Sequence, residues 1–91
     1  MHSRELYERY YRLILGLARR AQPCSSSLEK LRNLLHQFES EAAGIAPNSV
    51  ALLRAQLSEQ LEHAALCSPH THQRHVLFAA VKRLEQSADA D

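Results

Sequence analysis

Apolar positions recur along this chain every three or four residues, the period of a helix that buries one side. Over residues 4–21 the pattern is unusually full. Leu6, Tyr7, Tyr10, Tyr11, Leu13, Ile14, Leu15, Leu17 and Ala18 alternate with Arg4, Glu5, Glu8, Arg9, Arg12, Arg19 and Arg20. At about 100° per residue, the apolar group spans roughly half the circumference or more, whereas an amphipathic surface helix needs a stripe somewhat over about 100°. Pro23 closes the segment, because the residue before a proline avoids helical geometry. Ser3 is the candidate N-cap, and Gly16 sits inside the segment as the expected point of close approach to a neighbouring helix.

Three narrower stripes follow. Residues 27–43 place Leu28, Leu31, Leu34, Leu35, Phe38 and Ala42 on one side. Ser26 and Glu29 have the spacing of a capping box, and Gly44 with Pro47 forms the expected stop, with Gly44 in left-handed geometry. Residues 49–67 carry Val50, Leu53, Leu57, Leu61 and Ala64, with Asn48 or Ser49 as cap. Leu52 and Leu66 fall away from that stripe, on the side of Glu59 and Glu62, where loops or a second chain would have to cover them. Residues 69–87 carry Leu77, Ala80, Val81 and Leu84, with Phe78 at the edge and Ala88 just past the end in line with the stripe. Ser68-Pro69 supplies a cap and a first-turn proline for that helix, and residues 88–91 are expected to fray.

The expectation is therefore an all-α single domain, a small antiparallel bundle of about four helices built as two helical hairpins with up-and-down neighbours, which dimerises. Composition agrees. Among 91 residues, two glycines and three prolines leave little material for β-turns, and 45% hydrophobic content argues against disorder. A chain this short buries a limited share of its surface, which self-association would relieve.

The net charge of +1 contains no long single-sign block, so neither a basic nucleic-acid arm nor a membrane-binding segment is indicated. No apolar run approaches the roughly 20 residues that span a bilayer, and no secretory leader is evident. The chain reads as cytoplasmic and bacterial in style. Cys24 and Cys67 then read as small buried hydrophobes rather than a disulfide pair.

Candidate chemistry is sparse. His63, Cys67, His70, His72 and His75 lie within thirteen residues, and a sharp turn at Pro69 would bring His63, Cys67, His72 and His75 together as possible zinc ligands. Their spacing matches no zinc motif, so no metal or other cofactor is assigned. Cys67 and His63 make a poor nucleophile pair without an oxyanion donor, and the chain has no glycine-rich phosphate loop. No enzyme activity is assigned. The Ser68–Thr71 turn followed by His72, Gln73, Arg74 and His75 is the one candidate for a helix-turn-helix, with a weak phosphate footprint.

A protein partner fits better. The bundle core accounts for the Leu6, Tyr10, Leu13, Leu17 side of the first helix, and the flank left over includes Tyr7, Tyr11, Ile14, Leu15 and Ala18. Tyr7, Tyr10, Tyr11, Ile14, Leu15 and Ala18 are the candidate partner-binding residues, because tyrosine offers apolar area with a hydroxyl that tolerates a wet rim. The expected function is a small regulator that sequesters or blocks a larger protein, in the manner of an anti-activator masking a transcription factor. A DNA-binding helical regulator, a secretion chaperone or adaptor, and a His/Cys metal-binding protein are the alternatives.

Overall fold

The structure is a computed structural model that describes residues 3–20 and 26–89. The described residues form an all-α bundle of four helices: α1 (Ser3–Arg19), α2 (Ser27–Ala42), α3 (Pro47–Cys67) and α4 (Thr71–Asp89). Their spans follow the hydrophobic periodicity closely, and the differences lie at the ends.

Each end has a local physical cause. Ser26 precedes α2 with φ −87° and ψ 35°, away from the extended geometry that aims a capping oxygen at the helix, and its side chain makes no capping bond. The capping box with Glu29 is not formed. Instead the Ser26 carbonyl accepts the Lys30 N–H at 3.0 Å. Gly44 has no positive φ, so the left-handed stop is not used. The helix tightens instead, with the Ile45 N–H bonded to the Ala42 carbonyl at 3.0 Å. α3 begins earlier than Asn48 or Ser49 because Pro47 takes its first position, where a missing N–H costs nothing. Ser68 is extended, as a residue before proline must be, and α4 starts two residues later than the Ser68-Pro69 pair suggested. The His70 carbonyl receives the first N–H of that helix, from Arg74, at 3.1 Å. Ser68 still serves the turn: its Oγ donates to Gln73 Oε1 at 2.9 Å. The α4 helix continues through Asp89, past the expected fraying point at 88. Pro23 and Cys24, and with Cys24 any pairing to Cys67, lie outside the described residues, as do the final two positions.

One core runs through all four helices. Leu6, Tyr10, Ile14 and Ala18 from α1 meet Leu31, Leu35, Phe38 and Ala42 from α2. Val50, Leu53, Leu57, Leu61 and Ala65 from α3 and Val76, Leu77, Ala80, Val81 and Leu84 from α4 complete it. Tyr10 packs edge-on against Phe38 with ring centres 5.2 Å apart.

The arrangement differs from a simple ring of sequential neighbours. α3 and α4 form the most extensive pair, an antiparallel hairpin across a three-residue turn. α1 and α4 each pack against all three other helices, whereas α2 and α3 barely meet. α1 and α3 therefore lie side by side and run parallel: Arg4 and Tyr7 stand beside Ser49 and Leu53, and Ala18 beside Ala64 and Cys67. The reason is the width of the apolar arcs. α1 has core residues at every fourth position with a half-buried flank of Tyr7, Tyr11 and Leu15, and α4 has the doublets Val76-Leu77 and Ala80-Val81. Broad arcs take the central positions, and the narrower stripe of α2 takes a flank.

Where α2 and α3 do meet, polar chemistry makes the contact. Arg54 clamps Glu39 in a two-pronged ion pair, its Nε 2.9 Å from Glu39 Oε1 and its Nη2 on Glu39 Oε2. The planar fork of arginine matches a carboxylate in a way that lysine does not.

Gly16 does not mark a close helix contact. A methyl group built there would meet only the tip of the Arg20 side chain, at 3.6 Å, an ordinary contact distance. Gly16→Ala should therefore stabilise the fold by about 0.5–1 kcal/mol through helix propensity and a less flexible unfolded chain. Leu57→Ala, which empties a fully buried position in α3, should cost roughly 2–5 kcal/mol. Urea unfolding followed by circular dichroism measures both, and a destabilised Gly16→Ala protein would show that the space beside α1 is not open.

Candidate functional site

The residues expected to bind a partner divide into two groups. Tyr10, Ile14 and Ala18 are core: Tyr10 is 1% exposed, and the other two are equally enclosed. Tyr10 thus keeps the core side expected of it, whereas Ile14 and Ala18, expected on the outer flank, are buried as well. Leu13, expected in the core, is instead 43% exposed, and Leu17 is half-buried. The helix is turned about its axis relative to the expected orientation, because α3 packs on the tyrosine side of α1 and draws that side inward.

Tyr7, Tyr11 and Leu15 form the second group. They are half-buried along the seam between α1 and α3, packed against the core from outside. Tyr7 and Tyr11, one helical turn apart, stack with ring centres 5.9 Å apart and planes within 6°. Partial burial raises the Tyr7 pKa, with smaller contributions from Tyr11, Glu59 and Glu8, so its hydroxyl stays a neutral donor at physiological pH. Tyr7 lines an open cleft of ≈ 690 Å³ with Arg4, Leu52, Gln56 and Glu59. Farther along, Tyr11 and Leu15 line a smaller cleft of ≈ 290 Å³ with Arg19, Ala64 and Cys67.

Beside this seam stand the two leucines that belong to no stripe. Leu52 is 60% exposed and Leu66 is 70% exposed, so no loop covers them. With Glu59 they are spaced at seven-residue intervals, which puts Leu52 and Leu66 about 21 Å apart along one outward line of α3. Leu28 and Phe78 are also exposed, on α2 and α4.

A different cluster escaped sequence reading. Glu41 of α2 receives both the guanidinium of Arg9 and the hydroxyl of Tyr10 on one carboxylate oxygen. The Arg9 guanidinium also stands 5.2 Å from the centre of the Tyr10 ring. The arginine, then the tyrosine hydroxyl, hold the Glu41 carboxyl below the usual glutamate value. Burial, then the bond to Glu41, raises the Tyr10 pKa, and the bond to Glu41 raises that of Arg9. Nothing local in the sequence signals this contact, since the partners lie more than thirty residues apart and meet only when α2 packs on α1.

The histidine cluster is dispersed. His63, His70, His72 and His75 are exposed, and so is Cys67, which corrects its expected place as a buried hydrophobe. Cys67 Sγ lies 3.9 Å from His63 Nε2, but among the described residues no group of three or more His, Cys, Asp or Glu side chains is placed to hold a metal ion. Among the described residues, no helix is long and apolar enough to cross a membrane. No protein-family model matches the chain, and neither a curated protein nor a solved structure matches it.

The Arg9–Tyr10–Glu41 cluster makes stability pH-dependent at both extremes. Glu41 has a lowered pKa in the folded protein, so its contribution is present above the unfolded value near 4.5 and is lost as pH falls through the folded value. Tyr10 has a raised pKa, so its contribution is complete below the unfolded value near 10.0 and is lost as pH rises through the folded value. Glu41→Gln should flatten the acid limb of a melting-temperature profile, and Tyr10→Phe the alkaline limb. Limbs unchanged in both variants would place the titration elsewhere.

Proposed function

We propose that this chain is a small protein-binding regulator that occupies a larger partner through the face formed by α1 and α3. The observation that carries this reading is the alignment of Leu52 and Leu66 beside the half-buried seam of Tyr7, Tyr11 and Leu15. Single exposed leucines are ordinary on protein surfaces. Two on one line of one helix, on either side of Glu59 and with Leu52 lining the cleft of Tyr7, give apolar contacts in a polar surround, as docking surfaces have. Burying a leucine is worth about 1.5–3 kcal/mol, so covering both would contribute substantially to an interface.

The clefts along α1 and α3 are open rather than enclosed, which suits a protein surface laid over them. An anti-activator that masks a regulator's own association surface is the form we favour, and an adaptor or chaperone would use the same face in the same way.

Affinity capture from the native cell, with the wild-type chain and Leu66→Glu compared side by side, tests this reading. Leu66 makes no core contact, so the variant should fold with an unchanged helical spectrum and lose its partner at least about tenfold. Recovery of the same proteins by both would remove the α1/α3 face from consideration.

A further inference from the structure

We propose that α2 is a detachable helix. It opens from the bundle as a unit while α1, α3 and α4 stay assembled, and it thereby acts as a built-in cover over a groove on α1 and α4. The device is separate from the α1/α3 face and stands without it.

Packing divides the molecule in this way. α1, α3 and α4 each pack against the other two, so these three helices form a closed unit without α2. α2 packs on α1 and α4 but barely meets α3. Its apolar contribution comes from one narrow stripe, Leu31, Leu35, Phe38 and Ala42. Phe38 lies against Tyr10 of α1, and Leu35 lines a cleft with Leu84 of α4. Departure of α2 uncovers that side of Tyr10 and Leu84 and leaves every contact among the other three helices in place.

Two polar ties of α2 lie together at its carboxyl end. Glu39 takes Arg54 of α3, and Glu41 takes Arg9 and Tyr10 of α1. Both carboxylates are in the last turn, beside the short connection 43–46. At the amino end, Ser26 makes no side-chain cap. The Arg9–Glu41 pair keeps part of its surface in water, where an ion pair contributes little to stability. Segments with sparse packing of this kind open at a lower free energy than the rest of a domain. Once off the bundle, a helix of 16 residues does not sustain itself in water, so its backbone amides lose protection when it opens.

Hydrogen exchange of the full chain, read amide by amide by NMR, tests the inference. Amides in the middle of α2, from Leu31 to Phe38, should be at least about tenfold less protected than the slowest amides of α3 and α4. Two variants separate partial from global opening. Ala55 is exposed in the middle of α3, a helix that is folded in both the closed and the α2-open forms. Ala55→Gly should therefore speed the slowest α4 amides roughly fivefold through helix propensity and leave the α2 amides unchanged. Glu41→Gln weakens a contact that exists only in the closed form, so it should speed both sets by one common factor. Protection of α2 equal to that of the slowest amides would show that α2 leaves only when the whole bundle unfolds, and would overturn the inference. Acceleration of α2 and α4 amides to the same extent by Ala55→Gly would do so as well. Unequal acceleration by Glu41→Gln would mean that the Glu41 contact survives opening, which a detached α2 does not allow.

Discussion

Everything in this bundle is arranged around the breadth of apolar surface on α1. A helix with core residues at every fourth position and a further apolar flank cannot satisfy itself against one neighbour. It packs against all three. That requirement pulls α3 onto the tyrosine side, sets α1 and α3 parallel, and leaves α2 and α3 nearly apart. α4 fills the other central position because its apolar doublets give it a similarly broad arc. Hydrophobic burial of this kind is non-directional, so width of arc decides the number of neighbours and little else.

Directional interactions then hold the flanking helices in register. Glu41 ties α2 to α1 through Arg9 and Tyr10, and Glu39 ties α2 to α3 through Arg54. Both carboxylates lie in the last turn of α2, close to the short connection into α3. The Tyr10 side chain joins the two kinds of force: its ring is in the core against Phe38, and its hydroxyl reaches the ion pair at the rim. The surplus that remains after these demands is small and localised. It is the outward line of α3, where leucine is exposed on either side of a glutamate, and the seam that runs beside it.

Much of the architecture was legible along the chain. Four periodic stripes gave four helices, and the helix bodies lie where the apolar spacing put them. The off-stripe positions of Leu52 and Leu66 were visible from spacing alone, and they are the most exposed of the large apolar side chains. The helix ends were less legible. A serine with the right neighbours, Ser26, makes no cap, and a glycine before a proline, Gly44, takes no left-handed turn. Short-range motifs offer a bond without obliging the backbone to make it.

The facing of α1 is the clearest case of what required the tertiary structure. Periodicity identified a broad apolar arc but could not locate its centre, because Leu13 and Leu17 on one edge and Tyr11 and Leu15 on the other suit a core equally well. Packing resolved it in favour of Tyr10, Ile14 and Ala18, leaving Leu13 exposed. Likewise, Glu41 could meet Arg9 and Tyr10 only once two helices had been placed. The sequence alone determined what each helix had to bury, since that is a property of local spacing. The tertiary structure decided which neighbour buried it, because that depends on how four arcs of unequal width share one core.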